Sequence, residues 1–279
     1  MGKITISVDN TSDLGDELYK KYDLQVIYFG VYIGDKLYRD DEVKPDDIYN
    51  AVEKDGVVPK TNAALEVDYR ELFEEATKDS GSIIHFSISS ELSASHSNAV
   101  RAAKDMERVH VIDTKNASVG IGILAIRASE LVRAGKSIKE IVPIMQDMVG
   151  KIDTSVIMND IKYLHRGGRA SGLKLLGANL LKIRPSLRVN EAGKVVPDRK
   201  FKGEFSRAVK EWVEYKLVGS VADKNLVFIV HTDIAEQIVL DTIQEYKKAG
   251  FKEIIRILIG PSLTTHVGRN AIGAITING

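Results

Sequence analysis

The sequence predicts an α/β fold, arranged as two domains with largely parallel sheets. Short β-branched runs alternate with helical patterns along almost all of the 279 residues, and this alternation is typical of helices packed on parallel strands. The length suits about two domains, each large enough to bury a core. We therefore place a boundary near residue 150, between an N-terminal α/β domain (1–150) and a C-terminal α/β domain (151–279).

Apolar, β-branched runs predict the strands, taken in chain order. These runs are Ile4–Val8, Gln25–Phe29, Ile83–Phe86, Val109–Ile112, Ser155–Met158, Leu226–His231, Ile254–Ile259 and Ala274–Ile277. Helical periodicity between them predicts helices at about Asp13–Tyr22, Pro45–Lys54, Val67–Lys78, Ser97–Met106, Ala117–Ala134, Ile138–Val149, Leu173–Lys182, Ser206–Val218 and Ile234–Ala249. Pro45 near a helix start and glycines 135 and 250 after helix ends support these boundaries.

The pattern changes between Arg184 and Phe201. Two apolar pieces, Leu187–Val189 and Lys194–Val196, flank Asn190–Gly193, which predicts a β-hairpin with a glycine-containing turn. The same region is locally basic: Lys182, Arg184, Arg188, Lys194, Arg199, Lys200 and Lys202. A solvated surface explains this patch better than docking to a partner or to an acidic membrane face.

Composition excludes several classes of function. Lys+Arg and Asp+Glu both number 39, and a nucleic-acid-binding protein usually shows a basic excess. Cysteine is absent, so disulfides, thiolate metal sites and cysteine nucleophiles are excluded. The N-terminus enters a strand directly and no apolar run approaches the roughly 20 residues that span a bilayer. We expect a cytoplasmic protein with at most transient membrane contact. We also expect no metal, because no histidine pair has ligand spacing backed by carboxylates.

Two short segments predict an anion-binding cleft. Ser89–His96 follows the apolar run Ser82–Ile88 and precedes a helix. It combines hydroxyl groups with free backbone N–H groups and a positive helix end, all of which favour an anion. Leu164–Ser171 is a glycine turn that carries Arg166 and Arg169, and guanidinium groups suit carboxylate or phosphate.

Six regions in sequence resemble motifs of the DegV family of fatty-acid-binding proteins. They are Asp9–Leu14, Lys60–Ala64, Ile88–Ala99, Val111–Thr114 with Ser118–Gly122, Leu164–Ser171, and Ile259–Pro261 with Thr265–Gly268. The resemblance covers essentially the whole chain. It implies two α/β domains that enclose a long-chain fatty acid between them, with no cofactor other than this ligand.

The resemblance also implies a role and a set of contacts. Some family members present their bound acid to a fatty acid kinase subunit, which phosphorylates the carboxylate and feeds phospholipid synthesis. A carrier of this type performs no chemistry itself. Matching the family's carboxylate contacts onto this chain points to Thr61, Ser93, Arg169 and His266.

The hydrocarbon tail is expected to supply most of the affinity. A tail of about 15 methylenes at roughly 0.8 kcal/mol each offers about 12 kcal/mol before association costs. The wall of the binding tunnel should therefore be aliphatic. Candidates are Ile121–Ile126, Ile157–Met158 and Leu173–Leu181, although ordinary core is an alternative for each of them.

Several alternatives stay open at this stage. Ser93 is also suited to capping a helix, Arg169 to a solvated loop and His266 to a structural role. A rival hypothesis is an acyl or phosphoryl transfer enzyme in which Ser93 is the nucleophile and His266 the base, although Ser93 lacks a G-x-S-x-G context. A nucleotide site at Gly120 and Gly122 is less well supported than close helix packing.

Overall fold

The structure is a computed structural model that describes residues 2–159, 161–169 and 183–279. The strands are β1 (Ile4–Asp9), β2 (Leu24–Ile27), β3 (Gly30–Ile33), β4 (Lys36–Arg39), β5 (Lys60–Asn62), β6 (Ser82–Ser87), β7 (Val109–Asp113), β8 (Ile152–Met158), β9 (Ile183–Val189), β10 (Val195–Lys202), β11 (Leu226–His231), β12 (Glu253–Leu258) and β13 (Ala271–Ile277). The helices are α1 (Gly15–Tyr22), α2 (Pro45–Glu53), α3 (Glu66–Thr77), α4 (Ser95–Ala102), α5 (Val119–Arg133), α6 (Ile138–Val149), α7 (Lys162–Arg166), α8 (Phe205–Leu217), α9 (Glu236–Lys248) and α10 (Pro261–Val267).

Four strands before residue 114, β1, β2, β6 and β7, build a parallel sheet. Its order is β2-β1-β6-β7, and every neighbouring pair runs parallel. Helices or longer segments separate these strands along the chain, as parallel connections require. The predicted α/β class and the parallel direction are both confirmed for this sheet.

The strands from residue 152 onward build a six-stranded sheet that is mostly antiparallel. Its order is β10-β9-β8-β13-β11-β12, and β11–β12 is its parallel pair. The expectation of a largely parallel sheet is wrong here. Strands β9 and β10 are joined by a tight turn, which forces opposite directions, and β13 inserts antiparallel between β8 and β11. Apolar runs reveal that a strand exists but carry no signal for its direction.

A small antiparallel sheet with the strand order β4-β3-β5 is not predicted by the sequence. Its strands have three or four residues each, too short for a clear alternation of apolar and polar positions. Gly34 has a φ of +62° in the turn between β3 and β4. Strand β5 matters for function because the pairing of Val31 in β3 with Thr61 in β5 fixes Thr61 in the sheet.

The other predicted elements agree with the structure within a few residues. All eight predicted strands are present, and the predicted hairpin is confirmed as β9–β10. Helix α4 begins at Ser95 and ends at Ala102, which is shorter than predicted. The short helices α7 and α10 were not predicted, and the predicted helix Leu173–Lys182 lies outside the described residues.

The largest core cluster joins the two large sheets. Buried residues of β1 and β6 pack in the same cluster as Phe228, Val230 and Ile275 of the six-stranded sheet. Helix α5 is central to it, and a Cβ on Gly122 would lie 2.5 Å from the Leu14 side chain. This close contact supports tight packing as the reason for Gly122, and a Cβ on Gly120 would lie 2.3 Å from the Asn116 side chain. The boundary near residue 150 falls between α6 and β8 and stays a prediction.

Candidate functional site

A cavity of about 150 Å³ lies between segments from both sides of residue 150. Thr61, Ser93, Arg169 and His266 all line it, although they come from β5, the turn before α4, the turn after α7 and α10. We call the part of the cavity that these four residues form the polar end. The remaining wall is mainly aliphatic, with contributions from Ile88, Leu92, Val156, Met158, Leu164, Leu187, Val189, Val195, Val230, Ile259, Leu263, Val267 and Ile275.

Thr61 and His266 form the central hydrogen bond of the polar end. Thr61 Oγ1 and His266 Nε2 are 2.9 Å apart, across 205 positions of sequence. Burial, and to a smaller degree the positive charge of Arg169, lowers the pKa of His266 to about 4. The imidazole is therefore neutral at physiological pH.

The unpaired nitrogen of His266 indicates which tautomer is present. Nδ1 is buried and has no hydrogen-bond partner among the described residues. A buried N–H without an acceptor is rarer in proteins than a bare acceptor, so the proton belongs on Nε2, where it can be donated to Thr61 Oγ1. The Thr61 hydroxyl is then free to donate its own proton into the cavity.

Ser93 lies in the turn between β6 and α4. Its N–H donates to Ser89 O at 3.2 Å, and its Oγ accepts the N–H of Ser95 at 3.2 Å. Ser93 is not the helix cap, because the N-cap of α4 is Ala94, although Ser93 Oγ accepts the first N–H of the helix. The Ser93 hydroxyl proton has no acceptor in the described part of the chain, so it is left to donate to an anion.

A buried polar network supports the turn that contains Ser93. Asp9 accepts the N–H of Ile88 at 2.8 Å and the Tyr69 hydroxyl at 2.6 Å. Tyr69 also lies 2.6 Å from the Ser95 hydroxyl, while His85 Nδ1 lies 3.0 Å from Ser7 Oγ. His85 is fully buried in this network.

Arg169 connects the glycine turn to the Ser93 turn. Its Nη1 donates to Gly167 O at 2.8 Å and its Nε to Leu92 O at 3.3 Å. Gly168 has a φ of +71°, which favours glycine. A Cβ on Gly167 would lie 2.2 Å from His266 Nδ1. Both glycines of the motif are therefore required, one by backbone conformation and one by contact with the histidine.

The predicted tail contacts were only partly located. Met158 lines the cavity, whereas Ile157 and Ile121–Ile126 belong to the core and do not line it. Leu173–Leu181 lies outside the described residues. Sequence reasoning missed the contributions of the hairpin and of α10, because a wall residue and a core residue have the same apolar signal.

The β9–β10 hairpin closes one side of the cavity. Leu187, Val189 and Val195 line it, and the tip of the hairpin contacts the turn before α4. Ser89 Oγ donates to Gly193 O at 2.8 Å, and Lys194 lies 3.4 Å from Glu91. One of the basic residues of this region is thus paired locally, in keeping with a structural surface.

The geometry gives little support to Ser93 as a nucleophile. His266 contacts Thr61, and among the described residues no carboxylate hydrogen-bonds to its ring. His231 also lines the cavity, but Arg256 Nε lies 2.8 Å from its Nε2 and its Nδ1 lies 2.7 Å from Thr232 O. Both nitrogens of His231 are occupied, so it is not a free base.

The fold and the site define an α/β protein with an apolar cavity closed by polar groups at one end. Within the described residues, no helix has the length and apolarity to cross a bilayer. A family model described as "Uncharacterised protein, DegV family" matches residues 3–278. The chain belongs to the DegV family.

Relatives with described ligands are similar over nearly the whole chain. A Thermotoga maritima protein named "Fatty acid-binding protein" is 30% identical over 282 residues, covering 97% of this chain and 96% of the relative. A solved T. maritima structure, described as revealing a fatty-acid-binding function, has a TM-score of 0.84 and 27% identity, covering 99% of this chain and 100% of that chain. A Thermus thermophilus DegV structure, with a TM-score of 0.88, 24% identity and the same coverage of both chains, shows the shared fold.

Proposed function

We propose that this protein is a carrier that binds a long-chain fatty acid in the cavity, with the carboxylate at the polar end. One observation carries the proposal: four polar side chains from separate segments meet at one end of a cavity whose remaining wall is mainly aliphatic. The relatives named as fatty-acid-binding proteins support the same ligand class.

The polar end suits one negative charge. Thr61 and Ser93 each have a hydroxyl proton to donate, and Arg169 supplies the positive charge, since His266 is neutral. A carboxylate taken into an apolar cavity without such partners would cost several kcal/mol. The head-group contacts remove this cost and fix the orientation of the ligand, while the tail supplies the affinity.

The exposure of Arg169 supports a carrier that presents its ligand. Its side chain and Gly168 are exposed, so a carboxylate held there lies next to the surface. We propose a fatty acid kinase subunit as the partner that receives this end, with the protein itself performing no chemistry and using no cofactor. Binding to such a subunit should require the loaded form.

The decisive experiment is lipid extraction. Protein purified from a bacterial host is extracted with organic solvent and analysed by mass spectrometry, then stripped of lipid and titrated with palmitate. We expect a co-purified fatty acid and stoichiometric binding. Absence of lipid together with absence of binding would overturn the proposal, and Ser93-dependent hydrolysis of acyl esters would favour the enzyme alternative.

A further inference from the structure

Two buried carboxylates contact the beginning of α10. Asp13 follows the 3-10 turn Asn10–Ser12, and Asp40 follows β4. Asp13 Oδ1 accepts the N–H of Gly260 at 2.9 Å, and Asp40 Oδ1 accepts the N–H of Ser262 at 2.8 Å. Both acids are less than one tenth exposed.

Within residues 2–159, 161–169 and 183–279, neither the Asp13 nor the Asp40 carboxylate forms an ion pair. The second oxygen of Asp13 accepts the Ser118 hydroxyl at 2.7 Å. Burial raises the pKa of both groups, that of Asp13 to about 7. Burial of an unpaired carboxylate costs free energy. A role in positioning other groups therefore explains these two acids better than a gain in stability.

Helix α10 is the element that depends on these two acids. It has seven residues, Pro261–Val267, and a helix this short is not stable by itself. Ser262 and His266 both line the cavity and, four positions apart, they lie on the same helix face. The anchors of its first turn therefore set where the His266 ring lies relative to Thr61.

We propose that Asp13 and Asp40 are positioning residues for fatty-acid binding: by holding the N–H groups of Gly260 and Ser262, they fix α10 so that the His266 ring holds the Thr61 hydroxyl toward the ligand's carboxylate. This inference rests on the proposed function. It assigns a role in recognition to two acids that do not contact the ligand themselves.

The test separates recognition of the head group from binding of the tail. Lipid-free protein is titrated with palmitate and with 1-hexadecanol, which have the same tail, by displacement of a fluorescent acyl probe. The quantity compared among variants is the preference for the acid, which is the ratio of the two dissociation constants. A substitution that only loosens the fold weakens both ligands equally and leaves this ratio unchanged.

Asp40 offers the sharper set of variants because its neighbour Asp41 provides a matched control. The Asp41 carboxylate binds the Arg39 side chain, and within the described residues no hydrogen bond joins it to α10. We expect Asp40→Ala to lower the acid preference about tenfold, the scale of one charge-assisted hydrogen bond. Asp40→Asn keeps an acceptor for Ser262 N–H and should retain most of the preference, and Asp41→Ala should retain all of it.

Each outcome decides a different question. If wild type prefers the acid and Asp40→Ala shows the same ratio, the positioning role is wrong. If wild type binds neither ligand, or binds both equally, the proposed function itself fails. Should Asp40→Ala not fold, Asp40→Glu keeps the charge but moves the carboxylate by one methylene. An unchanged ratio in Asp40→Glu would also overturn the inference.

Discussion

Replacing Asp13 with asparagine should stabilise the protein above neutral pH. The asparagine side chain can still accept the Gly260 N–H through its oxygen, and its amide can donate to Ser118, whose hydroxyl then accepts. The substitution therefore keeps the anchor of α10 and removes the ionisation. Because burial raises the pKa of Asp13 from 3.8 to about 7 in the folded protein, ionised Asp13 favours the unfolded chain.

The size and the sign of the effect follow from this shift. A raised pKa in the folded state contributes stability that is complete below about pH 4 and is lost as the pH rises toward about 7. A shift of about three pKa units corresponds to roughly 4 kcal/mol. Asp13→Asn should thus match wild type at about pH 4 and exceed it by up to roughly 4 kcal/mol at about pH 8.

Urea unfolding of the lipid-free protein across this pH range measures the difference directly. Asp16→Asn, at an exposed position on α1, is the control and should follow wild type at every pH. A stability difference for Asp13→Asn that does not grow with pH would show that the folded protein does not raise the pKa of Asp13. Destabilisation at every pH would instead show that the asparagine amide cannot be accommodated beside Ser118.

Three further predictions concern the candidate site and the β9–β10 hairpin that closes one side of it. Ser93→Ala should weaken fatty-acid binding by about 1–3 kcal/mol, and an unchanged dissociation constant in calorimetry would remove Ser93 from the site. Gly193→Ala should lower the melting temperature more than Gly203→Ala, because both glycines have positive φ but a Cβ on Gly193 would also lie 2.2 Å from Ser89 Oγ; equal losses would contradict this. His266, with a pKa of about 4, should show no titration of its ring proton resonances between about pH 6 and pH 8, whereas a midpoint near its ordinary value would contradict a neutral buried ring.

The sequence predicted the fold class and most elements because the signals for them are local. Alternating apolar runs located all eight predicted strands, and the turn at Asn190–Gly193 identified the hairpin. Strand direction was predicted correctly only for the first sheet. The direction of β13 depends on how the chain returns from β12 through α10, which is a property of the whole topology and not of any short run of residues.

The candidate site also could not be predicted from local sequence signals alone. Thr61, Ser93, Arg169 and His266 were named from a family resemblance, and the structure places all four on one cavity. Physical reasoning from the sequence alone reached only the two turns that contain Ser93 and Arg169. The pairing of Thr61 with His266 spans 205 positions, and no local pattern indicates it.

Asp13 and Asp40 were harder still to recognise. Asp13 follows a polar turn and Asp40 begins an acidic run directly after β4, and in such places an exposed carboxylate is the usual outcome. Their hydrogen bonds to the start of α10 span 247 and 222 positions of sequence. The two acids that hold α10 are therefore distant from it in sequence, and the amino-acid composition does not reveal them. A carrier that must bind a flexible tail tightly but recognise a single charged group benefits from this arrangement, since the two acids support the His266 ring and the Thr61 hydroxyl without contacting the ligand.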